Sequence, residues 1–114
     1  MDATDLPTVD AAEALRLVGE GALLLDVREP AEWDAGHAPA AQHVPLGELP
    51  TSGFAPAPGS RVLVICRSGN RSKSATAHLI ALGVDAWNVA GGMGAWHASG
   101  GAVVDGEGAP GRVA

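Results

Sequence analysis

Between Val62 and Ser72 the chain reads V-L-V-I-C-R-S-G-N-R-S. Four apolar residues lead into the chain's only cysteine, and a Gly, two Arg and two Ser follow within six positions. A short, unbroken apolar run marks a strand buried on both faces. Such a strand must be covered from both sides, so the run points to a sheet between layers of helix. The abrupt change at Cys66 places a thiol where that strand becomes a polar, basic loop.

The flanking pattern supplies the other elements. Asp10 followed by Glu13 has capping-box spacing, and Ala14, Leu15 and Val18 continue at helical spacing to stops at Gly19 and Gly21. Ala22 to Val27 is a second buried strand. Glu29-Pro30 opens a short helix that Gly36 closes. Gln42 to Val44 reads as a brief strand, and residues 50–59 carry too much Pro and Gly to be anything but loop. Arg61 to Cys66 is a strand. Asn70 to Leu82 is a helix with Ala75, Leu79 and Leu82 on one face, stopped at Gly83. Asp85 to Val89 is a strand, and Gly91-Gly92 turns into a short helix around Met93 to Ala98. Strands alternating with helices predict an α/β fold, a small parallel sheet with helices on both faces. One domain over residues 1–104 is expected, with Asp105 to Ala114 a loose, Gly-rich tail.

Composition narrows the partners. At 114 residues with 46% apolar and 18% charged residues, the chain can bury a modest core. A net charge of −6 argues against nucleic-acid or anionic-membrane partners. One cysteine precludes an internal disulfide. The acidic opening M-D-A-T-D-L-P is unlike a signal peptide, and no apolar stretch reaches membrane-spanning length, so a cytoplasmic location is expected. Against this acidic background, Arg67, Arg71 and Lys73 cluster within seven positions, as a small anion site would require.

The loop has a chemistry of its own. In parallel sheets, ligands bind at the carboxyl ends of strands, where Cys66 lies. The first amides of the following helix lack internal partners and carry partial positive charge. Gly69 allows a turn that aims several N–H groups at one centre, and two arginines add full charges. Thiols in such surroundings titrate at about 3.5–7.5 instead of near 8.5. Cys66 is therefore the candidate nucleophile. Four residues separate Cys66 from Arg71, and Ser72 stands where a longer phosphate cradle has its arginine. A serine cannot replace a bidentate guanidinium. The shorter loop favours a compact sulfur adduct over a bound phosphate.

In three stretches the chain resembles the rhodanese family of sulfurtransferases in its single-domain form. They are L-L-L-D-V-R-E-P-A-E-W-D-A-G-H-A-P-A-A from Leu23 to Ala41, C-R-S-G-N-R-S from Cys66 to Ser72, and N-V-A-G-G-M-G-A-W from Asn88 to Trp96. The chain departs from the family's usual Ile-Pro-Gly-Ala after Gly36-His37, where it has A-P-A-A, and its Pro-rich loop replaces a helix common in relatives. The resemblance implies sulfur transfer through a Cys66 persulfide, from a small sulfur-containing anion such as thiosulfate to cyanide or a thiol, with no metal or organic cofactor. It implies catalytic roles for Cys66 and Arg71. It places Arg67, Ser68, Gly69, Asn70 and Ser72 around the substrate, with Arg67 toward the donor anion. Asp26 and Arg28 are expected to form a buried charged pair and His37 to steady a turn, while Glu29 is a candidate for the pocket rim. His37, His43, His78 and His97 lack metal-ligand spacing, and Trp33, Trp87 and Trp96 read as packing residues. Two other functions compete: a sulfur-relay or binding module loaded by a partner protein such as a cysteine desulfurase, and a phosphatase or arsenate reductase.

Overall fold

The computed structural model describes residues 6–114, so the first five residues of the acidic opening lie outside the described part. Its elements are β1 (Thr8–Val9), α1 (Ala11–Gly19), β2 (Leu23–Asp26), α2 (Pro30–Ala35), β3 (Ala41–His43), a 3-10 helix (Leu46–Thr51), β4 (Arg61–Ile65), α3 (Arg71–Ala81), β5 (Asp85–Val89) and α4 (Gly92–Ala98). The five strands form one sheet in the order β1-β5-β4-β2-β3, every pair parallel.

The central position of β4 explains its unbroken apolar sequence. Val62 and Val64 face one side and pack with Ala75 and Leu79 of α3 and Leu49 of the 3-10 helix. Leu63 and Ile65 face the other side and pack with Ala14 of α1 and Met93 and Trp96 of α4. Alternate side chains of one strand thus feed two separate cores, so no position from Val62 to Ile65 can be polar. The fold is the expected α/β sandwich.

Several local expectations are corrected. The Asp10 carboxylate accepts from Glu13 N at 2.8 Å, but the Glu13 side chain turns to Arg16, so only half of that capping box forms. The complete box is at α2, where Glu29 and Glu32 cap each other's backbone. Pro50 and Thr51 belong to a 3-10 helix instead of open loop, since Pro45 and Leu49 carbonyls accept the tight turns' N–H groups. β4 ends at Ile65, because the Cys66 carbonyl accepts from Met93 N at 2.7 Å and so leaves the ladder. Leu82 is 66% exposed although Ala75 and Leu79 are buried, because the chain leaves the helix at Leu82.

The segment after Asp105 is not a loose tail. Val104 and His37 exchange backbone bonds at 2.8 and 2.9 Å, and Gly106 N and Arg112 N reach Asp34 O and Ala35 O, each at 3.0 Å. A Cβ on Gly111 would lie 2.8 Å from Ala35 O, so glycine here lets the segment lie against α2. Val113 packs on the core beneath.

Candidate active site

Cys66 follows the last residue of β4 and is only 1% exposed. The chain then turns through Gly69, at φ 100°, into α3. The turn aims donors at the sulfur. Gly69 N–H donates to Cys66 Sγ at 3.1 Å, and Ser72 Oγ lies 3.3 Å from it. Burial pushes the thiol up, but the Ser72 hydroxyl and the N–H groups of Ser72, Gly69 and Ser68 outweigh it, leaving Cys66 more acidic than an ordinary thiol.

The predicted loop residues divide by position. Gly69 and Ser72 are buried against the sulfur, while Arg67, Ser68 and Asn70 are exposed. Asn70 is the residue before the first turn of α3 and makes no side-chain cap bond. Arg67 Nε donates to Ala114 O at 2.6 Å, at the far end of the chain. The Arg71 guanidinium grips Glu32 of α2 with two bonds, at 2.6 and 2.8 Å. That bidentate pairing, with Glu29 N–H donating to the same carboxylate, holds Glu32 at about 2.

Behind this layer lies a buried polar frame. Asp26 and Arg28 are 0% exposed and joined at 2.8 Å, and Arg28 also donates to Gly36 O at 2.7 Å. The pair forms as expected, and it ties the end of β2 to the end of the helix that carries Glu32. Trp33 of α2 is stacked between His37 and His43, with ring centroids 3.6 and 4.6 Å away. His37 Nδ1 bonds to Trp33 O and His43 Nε2 to Arg28 O, so both rings serve the turn around α2. Glu29 is exposed and caps α2. Among the described residues no three His, Cys, Asp or Glu converge as metal ligands, and no helix is long and apolar enough to cross a membrane.

Two residues gain importance that the sequence reading did not give them. Glu32 could pass for one of a pair of catalytic carboxylates with Asp26 or Glu29 but was given no role, since its partner Arg71 is far along the chain. Asn88, 2% exposed, accepts from Ser72 Oγ at 2.5 Å. A polar residue inside the strand D-A-W-N-V was the available signal for it. Asn88 also lines a cleft of about 390 Å3 beside the loop, with Ser68, Gly69, Lys73 and Gly91 and with Leu6 and Thr8 from the β1 side.

Comparison with known proteins agrees with this architecture. Residues 10–99 match the profile of the Rhodanese-like domain. A thiosulfate sulfurtransferase, GlpE, of Pseudomonas entomophila is 32% identical over 83 residues, 70% of this chain and 73% of that protein. The crystal structure of a rhodanese-related protein from Thermoplasma volcanium is 32% identical with a TM-score of 0.79, covering 86% of this chain and 97% of that one. A thiosulfate sulfurtransferase from Pseudomonas aeruginosa superposes with a TM-score of 0.75 at 29% identity, over 91% of this chain but 20% of that longer one. The chain belongs to the rhodanese-like family, and at family level this places it among sulfurtransferases, which take sulfur from donors and give it to thiophilic acceptors.

Proposed function

We propose that this member of the rhodanese-like family is a sulfurtransferase that works through a persulfide on Cys66, with thiosulfate as a competent donor. The supporting observation is the setting of the sulfur: Gly69 N–H donates to Sγ at 3.1 Å, Ser72 Oγ lies 3.3 Å away, and the thiol is made more acidic as a result. The Cys66 thiolate attacks the outer sulfur of thiosulfate. A new S–S bond forms, the old one breaks, and sulfite leaves with the bonding pair. Cyanide or a thiolate then attacks the outer sulfur of the persulfide and restores the Cys66 thiolate.

In this reading the loop amides stabilise negative charge on the persulfide without moving, because their direction is set by the fold. Arg71 acts at a distance through its charge, since its guanidinium is engaged by Glu32. Arg67, exposed at the mouth of the loop, meets the donor's anionic oxygens. Ser68 and Asn70, exposed beside it, border the path of the donor, and Gly69 and Ser72 bound the sulfur.

The test is intact-protein mass after incubation with thiosulfate, beside Cys66→Ser. A gain of one sulfur, removed by cyanide and absent from the variant, is the expected result. A folded, reduced protein that gains nothing from thiosulfate but is loaded by a cysteine desulfurase would assign it to sulfur relay instead.

A further inference from the structure

Ser72 Oγ stands between two partners, 3.3 Å from Cys66 Sγ and 2.5 Å from Asn88 Oδ1. Cys66, Ser72 and Asn88 are 1%, 0% and 2% exposed, so water does not compete for these bonds. A hydroxyl has one proton, so Ser72 cannot donate to both neighbours at once. With its proton on Asn88, Ser72 offers the sulfur a lone pair. That suits a protonated thiol, whose S–H then donates to Ser72 Oγ. A thiolate or persulfide anion needs the hydroxyl proton for itself. Turning that proton to sulfur leaves Asn88 Oδ1 against a lone pair, a costly arrangement in a buried site. The conflict disappears if the amide swaps ends and Nδ2 donates to Ser72 Oγ. Asn88 is also a wall of the cleft beside Ser68, Gly69 and Lys73.

We propose that Asn88 is a positioning residue for Cys66: it presents Oδ1 when the sulfur is protonated and Nδ2 when the sulfur is anionic, and so sets the direction of the Ser72 hydroxyl. This rests on Cys66 being the nucleophile. Other charges bear on the same sulfur. Arg71 of α3 interacts with it directly, and Glu32 of α2 and Glu29, which caps that helix, act through Arg71. Arg67 in the loop is bonded to Ala114, and Asp26 and Arg28 at the end of β2 neutralise each other. The variants below alter none of these.

The experiment is the pH dependence of Cys66 alkylation by iodoacetamide, which needs no sulfur donor. A protein inert to thiosulfate therefore still reports on this relay. Asn88→Asp keeps the size of the side chain but offers acceptors only, so it holds the Ser72 proton away from sulfur. Its titration midpoint should rise by about one unit, or about tenfold less thiolate at a given pH below the midpoint. Asn88→Ala releases the hydroxyl to the sulfur, and its midpoint should stay within about 0.3 unit of the parent. A packing role alone predicts the reverse order, with Ala the more damaging, and that order would overturn the proposal. The carboxylate's own charge is separated by repeating Asn88→Asp in Ser72→Ala. The shift should shrink there to what the charge alone supplies, and an undiminished shift would overturn the relay. Should Asn88→Asp not fold, Ser72→Ala is compared with Ser72→Ala/Asn88→Ala. Equal midpoints support the relay, and a further rise in the double variant rejects it.

Discussion

Two neighbouring strand ends in this sheet bury polar groups in opposite ways. At the end of β2, Asp26 is answered by the full charge of Arg28, both at 0% exposure. At the end of β4, Cys66 is almost as buried but is answered by amides and one hydroxyl. A full opposite charge fixes one ionisation state and makes the pair part of the frame. Dipoles and a rotatable O–H favour an anion without committing the group to it, so the thiol can gain and lose a proton in place, as the proposed reaction requires. The two ends cannot be told apart by burial. They differ in the kind of partner each buried group has.

The sharpest break in this comparison is at the sulfur itself. Cys66→Ser should abolish sulfur uptake, read by mass, while leaving the urea midpoint close to the parent's. Arg28→Met should do the reverse at β2. It strands the Asp26 charge and should cost about 3–5 kcal/mol in urea unfolding, much of it recovered in Asp26→Leu/Arg28→Met. An intermediate case is the exposed side of the frame, where Glu32→Gln releases Arg71 at a cost of about 0.5–1 kcal/mol at neutral pH. Glu32 ordinarily titrates near 4.5 and is held at about 2 in the fold, so the parent's advantage is present above about 4.5 and lost as pH falls toward 2. Urea midpoints of parent and variant should converge across that range. The smallest effect belongs to Arg67→Ala, with stability within about 0.5 kcal/mol and a several-fold rise in donor KM. An unchanged KM would remove Arg67 from donor binding.

What the sequence disclosed follows from the range of the interactions. The apolar runs of β2 and β4 are local and dense, so the strands, their parallel class and the turn that follows Cys66 were all readable from them. Glu32 and Asn88 were not, because their partners Arg71 and Ser72 are remote in the chain and periodicity carries no information about such pairs. Leu82 misled because helical spacing was extended one residue past the point where the backbone leaves the helix. The Gly-rich stretch after Asp105 looked loose because glycine marks both mobility and close backbone approach, and here Gly111 serves the second.

Gly92, remote from Cys66 in the chain, bears on the loop from the far side of the Cys66 backbone. Its φ of 56° and lack of Cβ let α4 come against the loop, where a side chain would collide with the carbonyls of Cys66 and Arg67. Met93 N–H then takes the Cys66 carbonyl and Gly94 N–H takes that of Arg67. In a planar trans peptide the N–H points opposite to the C=O. Anchoring the Arg67 oxygen away from the sulfur therefore turns the Ser68 N–H toward it, and Ser68 is among the donors that acidify the thiol. A saturation scan scored on thiol reactivity will flag Gly92 as strongly as the residues around the sulfur, although it makes no hydrogen bond to the sulfur. Transplanting the seven-residue loop onto another scaffold without that glycine would carry over the letters and lose the chemistry.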